Sequence, residues 1–207
     1  MAEFVYVDNS NVFIEGKRVS AVGRGLARDL REAFERRIID HDYSVDFGKL
    51  HTFVAGNDPA KIRRAALFGS RPPANDSLWK IAERAGFETV IEDRNVQNRE
   101  KKIDTGIVTM MMRDAYKLVD PREDVITLVA GDGDFVPSLS TLRKDGFRVE
   151  LVFWEHASRE LKDACDRFTS LNPHLKFLAY NRSQEQRDAR IRSEAVTTLE
   201  REAVVRW

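Results

Sequence analysis

Two aspartates that follow an apolar run in the middle of the chain could bind a cation. Residues 125–130, with the sequence VITLVA, form an unbroken run rich in β-branched side chains, which is typical of a strand covered on both faces. Gly131 and Gly133 allow a sharp turn, and Asp132 and Asp134 come directly after the strand. Ligands of open α/β sheets bind beyond the carboxyl ends of the strands, so these carboxylates lie where function is expected. Taken alone, a helix-capping turn explains them equally well.

Two further aspartates have similar surroundings. The strand predicted over residues 3–8 ends at Asp8, and Asn11 follows it in an Asx-rich turn. Asp104 stands in the first turn of a helix predicted over residues 103–118, where the helix dipole favours a carboxylate and capping alone is a sufficient explanation. If the first strand and the central strand are neighbours in the sheet, all four carboxylates converge on one spot.

A cluster of four carboxylates calls for a cation. Two unit negative charges about 4 Å apart repel by roughly 4 kcal/mol at an effective dielectric constant of about 20. A divalent cation relieves that repulsion, and oxygen ligands without Cys or His select Mg²⁺ or Mn²⁺. The 4 histidines show no paired ligand spacing, so no zinc site is predicted.

A basic stretch leads into the helix of Asp104 and could hold a phosphate backbone. Its four cations are Arg94, Arg99, Lys101 and Lys102. A solvated loop is the usual explanation of such a run, but its position just before an acid makes these side chains candidates for backbone contacts, which carry little sequence information. Arg63 and Arg64 are weaker candidates.

Composition sets the broad class. The chain has 207 residues, of which 42% are hydrophobic and 6 are Pro, so it can bury the core of one domain with an appendage. The 34 basic and 34 acidic residues cancel, so a nucleic-acid partner would have to be met by local patches. Cys165 is the single cysteine; it is predicted to be packed, and it favours a reducing, cytoplasmic compartment. No signal-peptide pattern and no apolar run near 18 residues is found, so no membrane association is expected.

Strands and helices alternate along the chain, which predicts an α/β fold, a three-layer α/β/α domain with a mostly parallel central sheet. The strand patterns cover residues 3–8, 50–55, 87–92, 125–130, 148–154 and, as an edge strand, 177–180. The helical patterns cover residues 26–39, a segment that opens at Asp58 and carries Lys61, Arg63 and Arg64, and residues 76–85, 103–118, 135–144 and 158–168. Trp79 and the methionines of the fourth of these helices are predicted to fill the core.

The last part of the chain has a different composition. From Ser183 it is rich in Gln, Glu and Arg, with apolar residues at helical spacing, which predicts an amphipathic helix of about six turns. We therefore divide the chain into a domain over residues 1–180 and a C-terminal helical extension over residues 181–207. The extension is expected either to pack on the domain or to pair with a second copy in a homodimer.

The blocks around the four aspartates resemble the NYN domain family, the LabA-like branch of the PIN-like metal-dependent nucleases. The resemblance covers roughly residues 3–178 and lies in the sequences VDNSNV (7–12), KID (102–104), LVAGDGDFVP (128–137), and SREL (158–161) with ACDRF (164–168). It implies a PIN-like fold and RNA as the favoured substrate over DNA. It also implies an acidic metal site, with Asn11 beside it, made of Asp8, Asp104, Asp132 and Asp134. Family members commonly carry Ser before Gly-Asp, where this chain has Ala130; the missing hydroxyl could weaken the positioning of metal or substrate.

The resemblance implies an endoribonuclease that depends on Mg²⁺ or Mn²⁺. Bound cations would activate a water for in-line attack on a phosphodiester, which leaves a 5′-phosphate and a 3′-hydroxyl. A phosphatase of the haloacid-dehalogenase type also places Asp-x-Asp after a strand, but that motif opens its domain, whereas Asp132 comes late. The remaining alternative is a non-catalytic RNA- or protein-binding NYN module, dimeric through the C-terminal helix.

Overall fold

The computed structural model describes residues 1–71, 77–93 and 99–181, and at residues 71, 93 and 99–102 it describes the backbone only. These residues form one parallel sheet with helices on both faces. The strands, in chain order, are β1 (Glu3–Asp8), β2 (Ile62–Arg71), β3 (Glu88–Asp93), β4 (Val125–Val129), β5 (Arg148–Phe153) and β6 (Arg167–Ser170). The α-helices are α1 (Asn9–Gly23), α2 (Leu30–Glu35), α3 (Phe47–Ala55), α4 (Ser77–Arg84), α5 (Arg99–Lys117), α6 (Val136–Lys144), α7 (Arg159–Asp163) and α8 (Leu175–Leu178).

The strand order creates a crevice at the centre of the sheet. The strands lie in the order β3-β2-β1-β4-β5-β6, and every pair is parallel. The chain therefore moves outward in one direction after β1 and in the other direction after β4. Loops leave this junction on opposite faces, and the space between them at the carboxyl ends of the strands is where such sheets bind ligands.

Each face of the sheet carries its own apolar core. The core on one face joins β1, β2 and β4 to α1, α3 and α4, and it includes the buried Trp79 and Trp154. The core on the other face joins the same strands to α5, α6 and α7, and it includes Met111 and Cys165. The predictions that Trp79, Met111 and Cys165 are packed are confirmed, since each is at most 7% exposed. Within the described ranges, no helix is both long and apolar enough to cross a bilayer.

Helix α1 begins at the end of the first strand and was not predicted as a helix. The Asp8 carboxylate caps it by accepting a hydrogen bond from the Asn11 N–H at 3.1 Å. Its middle approaches the sheet closely, because a Cβ added at Gly16 would lie 2.7 Å from the Trp154 ring. The Trp154 indole donates to the Val12 carbonyl at 2.9 Å. The sequence predicted only an Asx-rich turn, at the first residues of this segment.

Two neighbouring segments have the opposite type from the one predicted. Residues 50–55 are helix α3 rather than a strand: Asp46 caps its start, and Phe47, Leu50 and Val54 are buried at helical spacing. Residues 62–71 are strand β2 rather than the helix predicted after Asp58, so Lys61 precedes a strand, and Arg63 and Arg64 lie on it. Short apolar runs fit a buried helix and a buried strand equally well, and sheet pairing with β1 decided between them.

Three predicted elements were wrong in extent or type. The helix over residues 26–39 is reduced to α2, where Ala33 is buried. The helix over residues 158–168 stops at Asp163, and β6 follows it and pairs with β5. The edge strand over residues 177–180 is replaced by α8 and by one antiparallel bridge between Ala179 and Val45. The elements predicted over 3–8, 76–85, 87–92, 103–118, 125–130, 135–144 and 148–154 are confirmed, whereas the C-terminal helix lies outside the described residues.

Candidate metal centre

The turn after β4 is fixed on two sides at the central crevice. The Gly131 N–H donates to the Asn11 Oδ1 at 3.0 Å, which ties the start of α1 to this turn. A Cβ added at Gly131 would overlap the Phe153 ring of β5, so only glycine fits there. The Ser158 N–H donates to the Gly131 carbonyl at 3.4 Å. The backbone that presents the two following aspartates is thus held by both neighbouring loops.

Three carboxylates meet at this turn. Asp132 caps a single 3-10 turn over Gly133–Phe135 and accepts a hydrogen bond from the Asp134 N–H at 3.0 Å. Asp104 reaches the same place from α5. One carboxylate oxygen from each of the three aspartates lies within 4.8 Å of the others. Asp104 is half-buried, and Asp132 and Asp134 are exposed, so the group is open to solvent and close enough to share a cation.

Asp8 is the buried member of the group. Alternation along β1 directs it to the same face as Tyr6, the face covered by α5. The residue is 6% exposed. Burial raises the pKa of its carboxyl group to about 6, and the negative charges of Asp104 and Asp132 add to the increase, against the lowering effect of the Asn11 N–H. A cation bound nearby would stabilise the ionised form of a carboxyl group that lies beside two others in this way.

A buried ionic network fixes α5 to the sheet below this site. Asp114 of α5 is 1% exposed; it accepts hydrogen bonds from the Tyr6 hydroxyl at 3.0 Å and from the Arg64 Nε at 2.8 Å. Burial and the neighbouring Asp114 charge raise the pKa of Tyr6. Arg64 also pairs with Glu88. The network joins α5 to β1, β2 and β3, and it holds the helix that carries Asp104.

Arg63 and Arg64, the weaker candidates for contact with a phosphate backbone, lie far from the acids. Arg64 is paired in register with Phe4, four residues before Asp8, which corresponds to about 13 Å along a strand. Arg63 lines a cavity at the opposite edge of the sheet, beside Met1 and Lys61. The structure therefore does not bring Arg63 or Arg64 to the site, and Arg64 is occupied in the buried network.

Three of the four main candidates for contact with a phosphate backbone are described by their backbone only. Arg99, Lys101 and Lys102 fall in the first turns of α5, within five residues of Asp104. Their side chains and the whole of Arg94 lie outside the described residues. Their contact with a phosphate backbone stays a prediction.

Ala130, which stands where family members commonly carry Ser, is fully buried in the apolar core on the α5 face.

The parallel sheet and the aspartates at its central crevice are the features expected of a PIN-like nuclease domain. Residues 4–172 match the family model of the NYN domain, so the chain belongs to the NYN domain family, within the PIN-like nuclease superfamily. All four aspartates fall inside the matched range. This membership confirms the resemblance and gives no support to the phosphatase alternative.

A solved structure has the same fold. It is the crystal structure of a protein of unknown function from Vibrio parahaemolyticus, which superposes with a TM-score of 0.57 over 82% of this chain and 92% of that chain. The two sequences are 18% identical, so the likeness concerns the fold alone. A search among curated proteins found no match.

Proposed function

We propose that this chain is a metal-dependent nuclease that hydrolyses phosphodiester bonds in RNA, as an endoribonuclease with Mg²⁺ or Mn²⁺. The observation that carries the proposal is the meeting of Asp104, Asp132 and Asp134 within 4.8 Å at the central crevice, beside the buried Asp8. A donor set made only of carboxylates suits hard cations. RNA is favoured over DNA through the family resemblance.

The site residues divide the work. Asp104, Asp132 and Asp134 would hold the cation, and Asp8 would complete the site from the buried side. A divalent cation bound there would activate a water for in-line attack on a phosphodiester and would neutralise charge on the leaving oxygen; the expected products carry a 5′-phosphate and a 3′-hydroxyl. Asn11 positions the turn through its hydrogen bond with the Gly131 N–H. No side chain has to form a covalent bond with the substrate.

The phosphate backbone would be held by the basic stretch before Asp104. We assign this role to Arg94, Arg99, Lys101 and Lys102. The net charge of the chain is zero, so attraction has to be local, and it should weaken as salt rises. Charge reversal of Lys101 and Lys102 should therefore raise KM far more than it lowers kcat.

Cleavage assays test the function directly. Purified full-length protein with Mn²⁺ should cut single-stranded and structured RNA, including a closed RNA circle that only an endonuclease can open, and EDTA should stop the reaction. Asp132→Asn should remove at least about 99% of the activity, because one cation ligand is lost. Asp58→Asn, an exposed aspartate at a distant turn, serves as the matched control. Intact RNA in every metal, or equal cutting by Asp132→Asn, would reject the proposal.

A second candidate is a non-catalytic RNA- or protein-binding NYN module. Ala130, where family members commonly carry Ser, is the feature that favours it. RNA binding that persists in EDTA, without turnover in any metal, would identify this case.

The division at residue 180 and a homodimer formed through residues 181–207 are also proposed, and light scattering of the full chain and of a chain ending at Asn181 would test them. A cytoplasmic location is proposed on the single, buried thiol of Cys165.

A further inference from the structure

A second surface feature begins at the acidic site and runs along the outer side of α1. We name it the α1–α2 ledge and define it by Ile14, Arg18, Phe34 and His156. Two of its apolar side chains are open to solvent, with Ile14 46% exposed and Phe34 42% exposed. Phe34 belongs to α2, in which the neighbouring Ala33 is fully buried.

The ledge is continuous with the site along one side of a helix. Asn11, Ile14 and Arg18 are spaced by three and four residues on α1, so their side chains share one side of the helix. Arg18 is seven residues from Asn11, which corresponds to about 10 Å along the helix axis. An extended polymer that leaves the acidic crevice on this side would therefore meet Arg18 and then the Phe34 ring.

The loop after β5 closes the ledge from the other side. The His156 ring lies 5.9 Å from the Phe153 ring, which is the ring that fills the space beside Gly131. The His156 Nε2 also lies 3.0 Å from the Glu15 carboxylate of α1. The ledge and the turn that presents Asp132 thus both contact the Phe153 ring.

Phe34 is held in place although much of its ring is exposed. The Arg18 guanidinium lies 4.5 Å from the ring centroid, and the His156 ring meets it edge-on at 5.6 Å and 75°. Arg18 is itself fixed by an ion pair with Glu15. Proteins that bind single-stranded nucleic acids combine aromatic side chains, on which bases stack, with nearby basic residues, and Phe34 beside Arg18 is such a pair.

We propose that the α1–α2 ledge binds a base of a single-stranded RNA segment next to the cleaved bond, stacked on the free surface of Phe34. The proposal rests on the nuclease function proposed above and specifies its substrate as unpaired RNA. Because every base has a flat face, the contact selects unpaired strands with little preference for sequence. The competing explanation is that Phe34 only packs α2 against α1.

Binding measurements on two exposed phenylalanines test the ledge. Fluorescence anisotropy of a labelled single-stranded RNA of mixed sequence, in EDTA so that no hydrolysis occurs, should show Phe34→Ala weakening the Kd by about tenfold, the effect of losing one stacked base. Phe34→Trp should keep wild-type affinity, since a larger ring restores stacking. Phe177→Ala should bind as wild type, because Phe177 is 49% exposed on α8, away from the site.

Kinetics separate a binding role from a structural one. With Mn²⁺, Phe34→Ala should raise KM for single-stranded RNA by about tenfold while kcat stays within about twofold. Thermal unfolding of each variant shows whether α2 is still packed. Loss of affinity in a folded Phe34→Ala protein that Phe34→Trp restores supports the ledge.

The outcomes distinguish failure of the ledge from failure of the nuclease. If folded Phe34→Ala binds RNA as tightly as wild type, or if Phe34→Trp is as weak as Phe34→Ala, the ledge is only a packing contact and the proposal is wrong, even where cleavage is seen. If wild type never cuts RNA but Phe34→Ala still weakens binding, the ledge stands and the nuclease function is rejected.

Discussion

At the scale of single residues, the buried Asp8 carboxyl is a source of instability. Its pKa of about 6 in the folded chain lies above the ordinary value of 3.8, so the folded state binds the proton more tightly than the unfolded state. The contribution of Asp8 therefore favours folding most below about pH 4 and is progressively lost as pH rises to about 6. The shift corresponds to about 3 kcal/mol at most.

We predict that Asp8→Asn stabilises the metal-free protein at pH 7.5 while it abolishes nuclease activity. Asn removes the buried charge and still caps a helix well, so the free energy of unfolding should rise by about 1–3 kcal/mol. Urea unfolding with EDTA at pH 7.5 and pH 4 measures this, and the gain should shrink at pH 4. Asp46→Asn, at the cap of α3, should give no such gain. A less stable Asp8→Asn protein at pH 7.5 would contradict the buried charge.

Gly131 is a second residue with a sharp requirement. A Cβ there overlaps the Phe153 ring, whereas a Cβ at Gly133 meets its nearest atom, the Ser158 Oγ, at an ordinary 3.6 Å. We predict that Gly131→Ala lowers the free energy of unfolding by about 1–3 kcal/mol and reduces activity, because the turn that carries Asp132 must move. Gly133→Ala is the matched control and should change stability less. Equal losses in the two variants, measured by urea unfolding, would refute the role given to the Phe153 contact.

At the scale of elements, α5 carries Asp104 and depends on the buried pair below it. We predict that Asp114→Asn lowers the free energy of unfolding by about 3 kcal/mol, because Arg64, whose side chain is 17% exposed, then loses its buried partner and pairs only with Glu88, which is half exposed. Tyr6→Phe removes a single hydrogen bond and should cost about 1 kcal/mol. Asp145→Asn, which affects the exposed pair with Tyr116, is the control. Chemical denaturation ranks the three, and an Asp114→Asn cost no larger than that of Asp145→Asn would show that the network is dispensable.

The elements also show what a sequence can and cannot predict. The central strand was readable because the β4 run is continuously apolar and ends at Gly131, and the acids at the ends of β1 and β4 followed from it. The segments 50–55 and 62–71 were exchanged in type, because a short apolar run does not distinguish a buried helix from a buried strand. The neighbouring positions of β1 and β4 were only a condition of the sequence argument, since pairing between distant segments leaves no local pattern.

The site, like the elements, could be predicted from the sequence only in part. Asp8, Asp104, Asp132 and Asp134 could be named because each type and position suggested a ligand, and the structure brings them together at one crevice. The hydrogen bond between the Asn11 side chain and the Gly131 N–H joins residues 120 apart, and no spacing rule reveals it. The exposure of Phe34 could not be predicted either, because the helix predicted over residues 26–39 is reduced to α2.

At the scale of the whole molecule, the order of the strands brings the acidic residues together. The acids at residues 8, 104, 132 and 134 come from β1, α5 and the turn after β4. They meet because β1 and β4 are neighbours at the centre of the sheet, where the order in which strands are added changes direction. Because the net charge of the chain is zero, the proposed substrate would have to be attracted by local basic residues, and the proposed metal ion would be held by the acids of the crevice.

Anomalous diffraction from crystals soaked in Mn²⁺ tests the central claim most directly. We predict an ion at the crevice bound directly by oxygen atoms of Asp104, Asp132 and Asp134, with Asp8 next to it, and no ion there in Asp132→Asn crystals. Crystals of active protein in which Mn²⁺ binds elsewhere, or in which these carboxylates turn away from one another, would contradict a metal-dependent nuclease built on this cluster.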